Sequence, residues 1–429
     1  MRTLRKLATC LLLILVALSG LTVYGREDAF TEQTFANGVT FVYRQLPAAK
    51  SVSARIVVPV GFLHEPQDYL EISHLVEHLV FRGNGTGALS DSPDLMDKEG
   101  NYYNAFTTLN RTEYILESTA DNLLPAFSLF LDLILEPAFA PADVEKEKKI
   151  VTVEKALRDT PGNLFLTYLN HLTQNQLTSK IQAIDRQHVL AFHRQHYTVD
   201  QLTVIITGNF DAAEIAAHLA ALPKPENAAA PKTPLGSPAT IEADLVLEDY
   251  LPGAKYRLLF GFNLGAIEGK DQAIAKILPS ILLFESRQYD YVTNRPLDYD
   301  CYLFKLGTDF YLIFGYNDVR EEYTPEMKKW HERNINRYYK YLKAKDFSKF
   351  LKAVSTSLQK ELKLMEASPG ILSEYYSQLR FEPTTITADE LKIIKALSAK
   401  DLKNFVERYL EGQSYHQLVI KAIKREECD

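Results

Sequence analysis

The sequence predicts an α+β fold built twice over, and three observations lead to it. Short β-branched runs alternate with amphipathic helical stretches, a proline-rich segment interrupts them near the middle, and the order of elements before that segment returns after it. The 429 residues allow more than one large core. With 46% hydrophobic and 24% charged residues and only 19 Gly and 19 Pro, the chain is neither disordered, collagen-like nor a polytopic membrane protein. A net charge of −7 leaves no general basic footprint, so nucleic acid is not an expected partner.

Residues 1–25 stand apart from the fold. Arg2, Arg5 and Lys6 precede an apolar stretch over 7–18, followed by Ser19, Gly20, Thr22 and a cleavage site at 23–25, the layout of a secretory signal peptide. The alternative is an uncleaved membrane anchor, because the stretch from Leu7 to Tyr24 has about 18 residues, close to the minimum for a spanning helix. Both readings place the body of the protein outside the cytoplasm. Such a compartment permits a disulfide between Cys301 and Cys428 without requiring one.

The first half, 26–222, opens with strands expected at 38–44 and 51–60, then a helix at 73–81. Strands at 102–108 and 112–118 follow, then helices at 122–135, 141–158 and 186–196 and a strand at 202–207 ended by Gly208-Asn209. Between 223 and 240 the composition turns to Pro, Ala, Lys and Ser, which marks a linker. In the second half, 241–429, Leu397, Leu402, Phe405 and the strand at 418–420 echo Ile184, Val189, Phe192 and the strand at 202–205 at offsets of 213 to 216. The run 309–313, ahead of helices expected at 325–342 and 347–366, likewise echoes 112–116.

Chemistry concentrates in His74-Leu75-Val76-Glu77-His78. Residues four apart share a helix face, so His74 and His78 can offer imidazole nitrogens to one ion with Glu77 beside them, the H-x-x-E-H arrangement of inverzincins. A catalytic zinc takes three protein ligands and keeps a position for water, whose proton a neighbouring carboxylate can accept. A third ligand is therefore expected from another helix. The segment 143–158 offers Glu145, Glu147 and Glu154; Glu147 and Glu154, two turns apart, share a face from which Glu145 is turned away.

With these motifs the chain resembles the pitrilysin (insulinase) family, of the type that includes mitochondrial processing peptidase subunits and their bacterial relatives. The family's glutamate ligand follows the motif after about seventy-five residues, and here 75 residues lie between His78 and Glu154. The surrounding Gly61-Phe62-Leu63-His64-Glu65, Phe81-Arg82-Gly83, Asn104-Ala105-Phe106-Thr107 and Thr112-Glu113-Tyr114 also match. The resemblance covers about residues 35 to 425 and is strongest in the first half. It implies that His74, His78 and Glu154 bind Zn2+, that Glu77 is the general base, and that Glu147 supports the site from its outer shell. It further implies that Asn104 and Ala105 lie on an edge strand where a peptide pairs in extended form.

In the second half the helix near 271–284 carries no histidine, and the resemblance implies instead that Arg295 and Tyr302, seven apart, bind substrate. Two positions depart from the family pattern: Pro296 follows Arg295 where an acidic residue is usual, and Glu71 stands where a glycine usually precedes the motif. The implied protein is an exported, periplasmic zinc-dependent endopeptidase. Its two related halves would form a clam-like chamber that admits short or unfolded peptides, paired with a second copy or a related subunit as a homodimer or heterodimer. The alternative is a noncatalytic partner or scaffold subunit, although such subunits usually lose the zinc motif that this chain keeps.

Overall fold

The computed structural model describes residues 30–66, 68–84, 100–158, 181–224, 245–249, 255–293, 299–319, 322, 324–344, 346–365 and 368–422. The signal or anchor at 1–25, most of the linker, Arg295 and Cys428 lie outside them. Among the described residues no helix is long and apolar enough to cross a membrane.

The first half supplies β1 (Thr31–Thr34), β2 (Thr40–Gln45), β3 (Val52–Val58), β4 (Tyr102–Thr107), β5 (Thr112–Ser118) and β6 (Thr203–Gly208). They form one sheet in the order β1-β2-β6-β3-β5-β4, parallel between β2 and β6 and antiparallel elsewhere. Its helices are α1 (Ile72–Val80), α2 (Leu123–Leu135), α3 (Pro141–Arg158), α4 (Arg186–His196) and α5 (Ala212–Ala221). The second half supplies β7 (Leu245–Asp249), β8 (Tyr256–Gly265), β9 (Tyr299–Leu306), β10 (Asp309–Val319) and β11 (His416–Ala422), in the order β7-β11-β8-β10-β9. Its helices are α6 (Gly269–Thr293), α7 (Pro325–Ala344), α8 (Ser348–Met365), α9 (Pro369–Phe381), α10 (Ala388–Ala396) and α11 (Ala399–Tyr409).

The two sheets share one plan. Again one pair, β7 with β11, is parallel and the rest are antiparallel. Helices α4 and α11 coincide at an offset of 213 over their whole length, down to their N-caps. Asp185 accepts from the His188 N–H, and Ser398 from that of Asp401. The last strand keeps that offset too. Val419 packs into the helix-side core opposite Leu258 as Ile206 does opposite Ala54, so the expected offset of 216 for this strand is corrected to 213. A slip of three residues would have turned every side chain to the other face.

Strand β3 shows how the first sheet is covered on both sides. Ala54, Ile56 and Val58 join Leu75, Val76, Leu79 and Phe127 in the helix-side core. Ser53, Arg55 and Val57 face the other way, onto α9, which the chain contributes from its second half. This junction is polar and buried. Glu113, fully enclosed, receives the Arg55 guanidinium, Arg111 Nε at 2.9 Å and the Ser377 hydroxyl at 2.6 Å. Arg55 also donates to Ser373 at 2.9 Å and Arg111 to Glu382 at 2.8 Å, while the Thr207 hydroxyl donates to the Pro369 carbonyl at 2.5 Å. Each buried charge therefore has a partner, without which its desolvation would be ruinous.

Candidate active site

Helix α1 carries the motif on the edge of the first core. Leu75, Val76, Leu79 and Val80 are buried, which turns His74 and His78 outward together on the opposite stripe. The approach to α1 is held by Gly61, where a Cβ would stand 2.2 Å from the Thr108 carbonyl oxygen, and by Glu65. The Glu65 carboxylate accepts the N–H of Glu71 at 2.7 Å, the N–H of Ser73 at 2.9 Å and the Ser73 hydroxyl, and so covers the helix N-terminus that the N-cap side chain leaves open. Burial, followed by the charge of Glu71, pushes Glu65 up to about 7 against those hydrogen bonds.

Three side chains converge beside α1. Glu154 Oε2, from α3, lies 3.4 Å from His74 Nε2 and 3.3 Å from His78 Nε2, and the three candidate ligand atoms all fall within 4.8 Å of one another. Tetrahedral zinc stands about 2.0–2.1 Å from nitrogen and oxygen ligands, which spaces neighbouring ligand atoms about 3.3 Å apart. The donor set and its spacing fit that ion. Each imidazole also has a carboxylate on its far nitrogen: His74 Nδ1 is 3.2 Å from Glu71 Oε2, and His78 Nδ1 is 3.0 Å from Glu147 Oε2. Glu147 is fully buried, and its other oxygen is ion-paired with Arg82 at 2.6 Å.

Glu77, only 7% exposed, accepts the Thr107 hydroxyl at 2.7 Å. Burial raises its carboxyl above the ordinary range, opposed by the Thr107 hydrogen bond and by the two histidines. His74, Glu77, His78 and Glu154 form one wall of a cavity of about 670 Å3. Phe62, Phe81, Tyr103 and Phe106 supply apolar lining, and β4, the edge strand of its sheet, brings Asn104 and Ala105 to the rim. The Ala105 N–H is taken by the Asn104 side-chain carbonyl at 2.9 Å, a bond that an incoming strand could replace.

The described lining comes from the first half alone. Tyr302 sits on β9, the edge strand of the second sheet, paired in register with Ile313 and 37% exposed, and is not among the lining residues. Four roles were not legible in the sequence: Thr107 on Glu77, Arg82 on Glu147, Glu65 over the helix N-terminus and Glu71 on His74. The first three are contacts made by folding; Glu71 stands at i, i+3 from His74, a spacing that the sequence shows but that does not by itself assign the contact.

A family model described as Insulinase (Peptidase family M16) matches residues 40–188, and one described as Peptidase M16 inactive domain matches residues 183–351. An uncharacterized zinc protease of Rickettsia bellii is 27% identical over 199 residues, 44% of this chain and 48% of that protein. The chain spans about half the length of the curated relatives it matches. The crystal structure of a protease from Helicobacter pylori shares the fold at a TM-score of 0.76 and 16% identity, over 91% of this chain and 99% of that one. The periplasmic protease PqqL from Escherichia coli does so at a TM-score of 0.68 and 16% identity, over 94% of this chain and 50% of that one. With residues 40–351 covered by two models of one family and the fold repeated in solved proteases, the protein belongs to peptidase family M16, the insulinase or pitrilysin family.

Proposed function

We propose that the protein is an exported zinc-dependent endopeptidase acting on short or unfolded peptides. The observation that carries this reading is the convergence of His74 Nε2, His78 Nε2 and Glu154 Oε2 on one point of a cavity whose wall also holds the buried Glu77. Zinc held by those three residues would polarise a peptide carbonyl and acidify a water molecule. Glu77 accepts the water's proton as general base and passes it to the leaving amine, held in line by the Thr107 hydroxyl. The peptide lies extended along β4, its backbone pairing near Asn104 and Ala105, and the aromatic lining accepts an apolar side chain next to the cleaved bond. Glu147 fixes the His78 ring from behind.

In this reading residues 1–25 are the export signal, 26–222 the zinc-binding half, 223–240 a linker and 241–429 the half that closes a clam-like chamber, with Arg295 and Tyr302 reaching the substrate. A periplasmic location is supported by the basic and apolar start of the chain and by the fold shared with PqqL, and a second copy or a related subunit completes the assembly. A noncatalytic scaffold is the second reading, favoured by the match of residues 183–351 to a model of an inactive domain. Metal analysis separates the two. The purified protein should hold about one zinc per chain, and chelation should abolish cleavage of unstructured peptides until zinc is returned. Full activity in excess chelator with zinc shown absent would overturn the endopeptidase mechanism, and a chain that takes up no zinc and cleaves nothing would favour the scaffold.

A further inference from the structure

Helix α1 begins on a residue whose backbone does not suit its side chain. Glu71 holds φ 76, ψ 9, the left-handed region that side chains other than Asn and Asp seldom enter. The matching helix of the second half, α6, begins on Gly269 at φ +57, where the same turn carries no steric penalty. The Glu71 side chain does not cap α1, since Glu65 takes the N–H groups there. Its carboxylate instead accepts from His74 Nδ1 at 3.2 Å, one turn along the helix. The pairing of His78 Nδ1 with Glu147 at 3.0 Å is the same arrangement built from another helix.

We propose that Glu71 is a positioning residue for the metal ligand His74, and that the left-handed turn is kept as glutamate for its carboxylate. The inference rests on the zinc-site reading above. A carboxylate on Nδ1 holds the proton on that nitrogen, turns Nε2 toward Glu154 and makes Nε2 a better ligand. Strained backbone persists where the surroundings over-determine it, and such residues cluster at functional sites.

Zinc affinity, measured by competition with a chromogenic chelator, and the Tm of the zinc-free full chain test this together. Glu71→Gly should weaken zinc binding by about 10- to 100-fold while leaving the zinc-free Tm unchanged or slightly raised, because glycine relieves the turn. Glu71→Gln, which keeps an acceptor oxygen and loses the charge, should fall between Glu71→Gly and the parent chain. Wild-type affinity in Glu71→Gly would overturn the proposal. So would weakened binding accompanied by a zinc-free Tm several degrees lower, since the side chain would then be supporting the helix and not the imidazole. His74→Ala is the control. If the parent chain binds no zinc, or binds it equally in His74→Ala, the metal-site reading itself fails; if both controls behave, the Glu71 variants judge this inference alone.

Discussion

The two halves lay five matching strands in the same order, β1 being an addition to the first, and one pair of matching helices carries different chemistry. In the first half α1 spends its polar positions on a cavity: two histidines and Glu77 face outward from a core of leucines and valines. In the second half the described part of α6 turns a charged group into the core. Lys276, buried among Ile274, Ile277 and Leu278, gives its ammonium to Glu390 at 2.7 Å and to the Thr385 carbonyl at 2.6 Å, so its charge is consumed inside the fold. The matching helices thus differ in where these polar groups lie, α1 bringing its histidines and Glu77 to a cavity and α6 burying Lys276 in the core.

The sharpest way to break this contrast is to remove the carboxylate that α1 turns to the cavity. Glu77→Gln should leave zinc bound, because Glu77 is not among the converging ligand atoms, while lowering kcat by about 10²- to 10⁴-fold. Steady-state kinetics with metal analysis on the same sample would check it. Zinc loss as complete as in His74→Ala would mean that the roles of ligand and base are misassigned.

The halves also meet, and the next largest effect is expected there. Glu113→Ala would leave Arg55 and Arg111 buried without their shared carboxylate beneath α9. Stripping one partner from a buried ion network costs about 3–5 kcal/mol. Denaturant unfolding would measure it. A loss below about 1 kcal/mol would show that apolar contacts such as Val57 against the helix hold the junction unaided.

A smaller and pH-dependent effect distinguishes α4 from α11. His193 is buried and donates from Nε2 to the Ile134 carbonyl at 2.8 Å, while its counterpart at the repeat offset is the fully buried Val406. Burial pushes His193 down to about 4, so the folded chain keeps it neutral while the unfolded chain binds a proton below its ordinary pKa of 6.5. Stability from this group is therefore complete above pH 6.5 and lost as the pH falls toward 4, by about 3 kcal/mol. His193→Gln, which can keep the donor without titrating, should remove that part of the acid sensitivity. Parallel denaturation series at pH 7.5 and 4.5 would reveal it, and identical losses in both proteins would exclude His193 as the source.

Much of the first half was legible in advance. The strands β2 to β6 and the helices α1 to α4 lie where β-branched or amphipathic runs predict them, with ends moved by one or two residues, whereas β1 and α5 were not assigned; the strand expected from 38 begins at Thr40 because Asn37 and Gly38 form a turn. In the second half β7, β8 and β9 and the helices α9 and α10 were not assigned. Helix α9 carries Ser373 and Ser377 on its packed side, so its polar pattern points away from burial.

Residue order alone determined the histidine pair, the glutamate between them and the candidate acids of α3, because ligands on one helix are related by a fixed rise and rotation. It also determined the internal repeat, because duplicated elements keep their spacing. Only the tertiary structure decided which of those acids meets the histidines, that Glu147 stands behind His78, and that Glu113 fastens a helix from the far half of the chain onto the first sheet. Those contacts join residues up to hundreds of positions apart, and sequence periodicity describes one element at a time. Where two elements cross, the choice of partner is made by burial and by the cost of leaving a charge alone, and both exist only once the chain is packed.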